Sequence, residues 1–254
     1  MAFTMTTDIA TVTAGFTQAQ LYTKLKAFLV SLYGAAYDEF TVSTTNSLVF
    51  QVVLNGSAKG TIYVRVDLSP TTISCSHYET WSAGTHTGTS GSTTITNSWS
   101  SGSQVDFYGF INSEATMVFW KNGSTNGFLA GHIRPATKPS WYSETTYRYA
   151  FHFNSAQTAT FSTTVVPSGT FSMSNLGVFG STGTTTLNGG KRMILTGKIL
   201  VCTSQGGYIG TFSNDWGEFA GSGAAFADTI KPTPGSEEWI IMMISGHQLA
   251  LRYI

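Results

Sequence analysis

From Phe40 to its end, the chain alternates runs of Val, Ile, Thr, Tyr and Phe with short clusters of Gly, Asn, Ser and Pro. β-Branched and aromatic side chains suit a pleated, half-buried surface, and Asn-Gly pairs accept the positive φ of tight hairpin turns. LVFQVVL and GTIYVRVDL flank Asn55-Gly56, a strong hairpin signal. ATMVFWK and GFLAGHI flank Asn122-Gly123, where a second Asn-Gly suggests a longer loop. Further hairpins are expected around Asn188-Gly189-Gly190 (TTTL with RMILTGKILVC) and around Gly206-Gly207 (KILVCTSQ with YIGTF). Another joins EEWIIMMI to LALRYI across Ser245-Gly246-His247-Gln248. Roughly ten to fourteen short strands at this spacing predict a mainly β fold, with an antiparallel β-sandwich-like body. The apolar run WIIMMI predicts a strand covered on both faces, and the apolar close LALRYI a terminal strand held in a sheet. Ser82 to Ser103, apolar only at Ile95 and Trp99, reads as a long exposed loop or a projecting hairpin. Tyr147, Tyr149, Phe151 and Phe153 alternate and are expected on one strand face.

One segment has helical periodicity. Leu21, Leu25, Phe28, Leu29 and Leu32 form a single apolar stripe. Thr17 and Gln20 have capping-box spacing, Phe16 and Leu21 that of a hydrophobic staple, and Gly34 falls where a left-handed cap would end the helix. The spacing predicts one N-terminal amphipathic helix over residues 18–33, packed on its own sheet. The chain then divides into an N-terminal arm, residues 1–15, and a single β-rich domain, residues 16–254, which contains that helix.

Composition removes several classes. Charged residues make only 10% of the chain, and 13 basic side chains balance 13 acidic ones. A broad cationic surface for nucleic acid or anionic lipid is therefore not expected. The 41% apolar content, with 17 Phe, 11 Tyr and 6 Trp, suffices for a core. No apolar run is long enough for a membrane helix, and Met1 to Phe16 lacks the basic and apolar regions of a signal peptide. Neither is expected, and the second argues against an outer-membrane β-barrel. Cys75 and Cys202 sit in apolar, β-like stretches without a CxxC, so buried reduced thiols and folding in a cytoplasm are expected. Asn55-Gly56-Ser57 and Asn122-Gly123-Ser124 match glycosylation sequons, but turn chemistry explains them.

Motifs for catalysis are weak. His77, His86, His132, His152 and His247 are scattered; only His77 and Glu79 could share a strand face, so no metal site is expected. GxSxG is absent, and the cysteines lack the basic surroundings of a thiolate. Asp215-Trp216-Gly217-Glu218 is the best local carboxylate pair for glycoside hydrolysis, although an inter-strand loop would look the same. Gly180 to Lys191 is Gly-rich but opens no amphipathic helix, which a phosphate cradle requires. No enzyme activity and no cofactor are expected.

Four stretches carry a resemblance: FTQAQLYTKLKAFLVSLYG, DFYGFINSEATMVFWKNGSTNGFLAGHIRP, TLNGGKRMILTGKILV with GGYIGTF, and SEEWIIMMISGHQLALRYI. Their order resembles virion structural proteins of tailed bacteriophages, the tail, baseplate or fibre-associated components. The resemblance implies a building block of the virion, assembled in the host cytoplasm. It would act through contacts with copies of itself and other virion proteins in a symmetric assembly. The chain lacks the collagen-like or coiled-coil repeats of a fibre shaft. The alternative is a carbohydrate-binding receptor-recognition module for host attachment. A host surface glycan would stack on solvent-facing aromatics such as Trp81, Trp99, Trp141 and Trp216; the same residues would serve as subunit contacts. The arm, with Phe3, Met5, Ile9 and Val12 among threonines, suits pairing with a sheet edge of another subunit; lying across its own body, or disorder, is the alternative.

Overall fold

The computed structural model describes residues 2, 4–5, 10–53, 61–89, 91, 94–112, 115–133 and 140. Beyond these it describes 152–153, 158–160, 171–172, 193–196, 200–202, 208–211, 215–220, 225–231, 238–244 and 247–253. The chain is mainly β with one helix, and every pairing among the described strands is antiparallel.

Two short arm strands, β1 (Thr4–Met5) and β2 (Ala10–Val12), precede helix α1 (Gln18–Tyr33). The helix buries Leu21, Leu25, Phe28, Leu29 and Leu32, the stripe seen in the sequence. Its capping box is complete: the Thr17 Oγ1 accepts from the Gln20 amide, and the Gln20 side chain accepts from the Thr17 amide at 2.8 Å. Phe16 and Leu21 are buried in the same cluster. Gly34 ends the helix at φ 82° and ψ −165°, a region only glycine enters readily, rather than in the left-handed helical well. Gln18 Nε2 donates to the Thr44 and Leu68 carbonyls, which pins the helix start to the sheet beneath.

That sheet contains β3 (Asp38–Val42), β4 (Thr45–Val53), β5 (Thr61–Leu68), β6 (Thr72–Tyr78) and a last strand, Ile95–Ser98. The β4–β5 hairpin forms, with Val53 facing Thr61 at the end of the described pairing; the expected Asn55-Gly56 turn lies outside the described residues. Ser82 to Ser103 is neither a long loop nor a free projection. It supplies a small hairpin, β7 (Thr80–Ser82) with β8 (Thr87–Thr89), and then β9 (Ile95–Ser98), which joins the edge of β6. Ile95 is buried there, which explains this large apolar residue in a polar stretch.

A second sheet pairs the arm with β10 (Val105–Ile111), followed by β11 (Ala115–Asn122) and β12 (Thr125–Ile133). The β11–β12 connection is tighter than the sequence suggested. Asn122 pairs with Thr125, and Gly123 takes φ 62°, the positive φ of a primed two-residue turn. Asn122 is buried, accepting from the Ser100 amide and donating to the Ser100, Ser103 and Gln104 carbonyls. One hydrophobic cluster unites α1, the inner face of β4–β6, and Val105, Phe107, Val118, Trp120 and Leu129 from the second sheet. Burying each such side chain contributes roughly 1.5–3 kcal/mol.

The C-terminal strands are β13 (His152–Phe153), β14 (Thr158–Thr160), β15 (Phe171–Ser172), β16 (Met193–Thr196), β17 (Leu200–Cys202) and β18 (Tyr208–Thr211). They continue with β19 (Trp216–Ala220), β20 (Thr229–Ile230), β21 (Glu238–Ile244) and β22 (His247–Tyr253). The expected β17–β18 and β21–β22 hairpins are present, the latter with Ile244 facing His247, so His247 and Gln248 are strand rather than turn. The described partner of β16 is β19; the expected TTTL strand lies outside the described residues. Trp239 to Met242 are all buried, so β21 is covered on both faces, and β22 lies between β19 and β21. Cys75 is buried and in no disulfide. The predicted single face of Tyr147 to Phe153 falls outside the residues whose side chains are described.

Candidate functional site

Strand alternation gives the β3–β6 sheet two different faces. The inner face carries the core. The outer face carries Asp38 and Phe40 from β3, Ser47, Val49 and Gln51 from β4, Tyr63, Arg65 and Asp67 from β5, and Ser76 and Tyr78 from β6. The β7–β8 hairpin lies on this face. Trp81 reaches Tyr78 edge-on at 5.1 Å and Phe40 at 6.2 Å, and His86 stacks on Phe40 at 4.2 Å. Arg65 lies beneath, its Cζ 5.3 Å from the Phe40 ring and 5.7 Å from Trp81. Such contacts add roughly 0.5–2 kcal/mol depending on exposure. Arg65 Nε donates to Asp67 Oδ1 at 2.8 Å, and Ser47 Oγ donates to the same oxygen at 2.6 Å.

Asp38 organises the other side. Its Oδ2 accepts from Trp81 Nε1 at 2.7 Å and meets His86 Nδ1 at 2.9 Å. Burial pushes the Asp38 carboxyl up, but the hydrogen bonds from His86 and Trp81 outweigh it and hold the pKa below its ordinary value. His86 takes φ 54°, a left-handed conformation that His enters more readily than most residues, and its side chain is 44% exposed. The Phe40 stack and the Asp38 contact hold it there. The hairpin is thus fixed to the sheet by a polar-aromatic layer.

At the far end of the face, Tyr37 meets Tyr63 edge-on at 5.0 Å and is 43% exposed, and Val53, 51% exposed, lies nearby on β4. Tyr63 is directly opposite Tyr78. An aromatic strip therefore runs from Tyr37 through Tyr63 and Tyr78, across the buried Trp81, to Phe40 and His86. The Arg65–Asp67 ion pair and the Asp38–His86 contact both lie within it.

The expected solvent-facing tryptophans are placed differently. Trp81 is only 6% exposed, packed between its hairpin and the sheet, and offers no open ring. Trp99 sits on the opposite side, tilted against Phe16 at 5.5 Å and donating to the Ser69 carbonyl. The two do not form one cluster. Trp216 is in β19 opposite Leu251, with its side chain outside the described residues, as is all of Trp141. Of the candidate pair Asp215 and Glu218, Asp215 is buried and held by Arg252, through Nε at 2.7 Å and through Nη2, and the Glu218 side chain lies outside the described residues. Glu218 is a strand residue paired with Leu195 and Leu249. His77 is buried, and Glu79 lies beyond the end of β6, so the two share no strand face. Among the described residues no three His, Cys, Asp or Glu side chains form a metal-binding group, and no helix is long and apolar enough to cross a membrane.

Residues that the sequence reading did not single out carry the face: Tyr37, Phe40, Tyr63, Arg65, Tyr78 and His86. A signal existed for two of them, since the alternation in TIYVRVDL puts Tyr63 and Arg65 on one side with Asp67. A scan against protein-family models finds no match for this chain, and a search of curated proteins finds none.

Proposed function

We propose that the chain is a structural component of a tailed-phage virion, in the tail, baseplate, neck or a fibre-associated position, working through protein–protein contacts in a symmetric assembly. The observation that carries this reading is the aromatic strip. Rigid, half-exposed Tyr and Phe rings with their charges paired internally have the composition of a subunit contact. Sandwich-like packing of the two N-terminal sheets belongs to the same reading: it would make the strip one outer surface of a stiff block. Mass spectrometry of purified particles tests it. The chain is expected at a fixed stoichiometric copy number; absence from particles removes the proposal.

The carbohydrate-binding reading keeps one foothold, the exposed Tyr37 ring beside Tyr63. A glycan array would return hits lost in Tyr37→Ala if this were a sugar platform; an array without hits removes it.

A further inference from the structure

The described residues of the arm pair with β10 of their own chain, so the edge open to a neighbour belongs to another strand, β3. We infer that β3 pairs with β3 of a second copy of this chain, antiparallel about a two-fold axis at Phe40, which joins the two sheets edge to edge. The inference deepens the proposal that the chain works through subunit contacts, and rests on it in taking a copy as the partner.

The backbone of β3 is in step with that pairing. The strand stands at the end of its sheet, and no strand among the described residues lies on its other side. Val42 and Thr45 close a two-residue turn in which Ser43 takes φ 54°. A pair that closes such a turn exchanges hydrogen bonds, so by alternation Val42, Phe40 and Asp38 bond to β4. The Tyr37 amide donates to the Val49 carbonyl at 2.7 Å, so Val49, opposite Asp38, turns its carbonyl towards β3 as that pattern requires. Glu39 and Thr41 therefore direct their N–H and C=O groups away from the sheet, and both residues are exposed. Outward groups of this kind are a template for another strand.

Exposed edges are ordinarily blunted by Lys, Pro or a bulge. β3 has no Lys or Pro, and its register with β4 runs without a shift. Both of its acids are engaged within the chain: Asp38 with Trp81 and His86, and Glu39 with the Tyr22 hydroxyl at 2.7 Å and Lys26 Nζ at 2.6 Å. Apolar surface gathers here as well. Tyr37, just before the strand, is 43% exposed, and Val42, at its end, 60%.

The register selects a second copy. With Phe40 on the axis, Glu39 lies opposite Thr41 of the second copy, and each outward N–H meets an outward C=O. Moving the axis to Glu39 would set two carboxylates against each other, and moving it to Thr41 would leave Glu39 opposite the turn at Ser43. Phe40 meets its own counterpart as a close, non-hydrogen-bonded pair, the arrangement that favours aromatic cross-strand contact. The axis is perpendicular to the sheet, so outer face continues into outer face and the two aromatic strips become one. A five-residue strand pair is small beside the roughly 1,200–2,000 Å² of a stable interface, so isolated chains pair weakly.

Sedimentation of the full-length chain between about 10 μM and about 1 mM should show a monomer–dimer equilibrium. Thr41→Pro removes an outward N–H and leaves the bonds to β4 in place, a change that an edge strand tolerates. Val42→Asp sets a carboxylate opposite Asp38 of the second copy. Each should weaken the dimer at least several-fold, with far-UV circular dichroism and unfolding midpoint near those of the parent; if Thr41→Pro does not fold, Val42→Asp carries the test. Register is read by oxidising Glu39→Cys mixed with Thr41→Cys, chains distinguishable by mass, beside the parent with its own two cysteines. The mixture should give a disulfide-linked pair several-fold above either variant alone. A chain that is monomeric throughout and gives no linked pair overturns the inference, as does a dimer that Thr41→Pro and Val42→Asp both leave intact. Particles that contain the mixed variants without links would overturn β3 pairing and leave the virion proposal standing. Linked pairs in solution, with the chain absent from particles, would do the reverse.

Discussion

A methyl group added at Gly88 would overlap the Tyr78 ring at Cγ and Cδ1 and stand 2.9 Å from Cε3 of Trp81. Both rings are locked in the polar-aromatic layer, so neither can swing aside. Gly88→Ala is expected to cost about 1–3 kcal/mol in urea unfolding. In a Tyr78→Ala background much of that cost should vanish, and equal costs in both backgrounds would mean that the overlap is relieved elsewhere. Asp38 makes a second residue-level prediction. Its pKa is depressed in the folded chain, so its contribution is complete above the ordinary value of 3.8 and is lost as pH falls below it. At neutral pH, D38N should cost about 1.5–3 kcal/mol, the range for hydrogen bonds to a charged group. The stability gap between parent and D38N should narrow between pH 4 and pH 2. A gap constant with pH would show that the carboxylate charge is not what Trp81 and His86 stabilise.

Leu29 has no exposed surface and lies at the centre of the α1 stripe. Leu29→Ala should cost about 2–5 kcal/mol, and Thr17→Ala, which breaks the capping box, about 1 kcal/mol. Near-equal losses in thermal unfolding would place the helix's stability in its cap rather than its packing. This element was legible because its causes are local: a stripe, a cap and a terminating glycine all lie within nineteen residues of sequence. The strands were legible as strands for the same reason. Partners and turns were less so. The second Asn-Gly suggested a long loop after Asn122, but the buried Asn122 amide ties that position to Ser100, Ser103 and Gln104, and the chain turns at once. β9 looked like loop because its burial comes from pairing with β6, about twenty residues away. The aromatic strip was hidden likewise. Phe40, Arg65, Trp81 and His86 meet only because the β7–β8 hairpin folds back over the sheet, which no spacing rule encodes.

At the scale of the whole molecule, among the described residues the large core cluster lies between Val12 and Leu129, while Trp239, Ile241 and Ala250 form a separate, smaller one. Tyr108 against Phe226, at 5.4 Å, is one contact that joins the two parts. A fragment of residues 1–133 should therefore unfold cooperatively with strong β circular dichroism; a fragment without a cooperative transition would show that the C-terminal strands complete the fold. The arm gives this division a temporal side. Thr11 and its partner Asp106 are 95 residues apart in the chain. At about 5–20 residues per second, a ribosome needs roughly 5–20 seconds to deliver the second after the first. Each newborn arm thus waits, without its own docking strand, until β10 has left the ribosome.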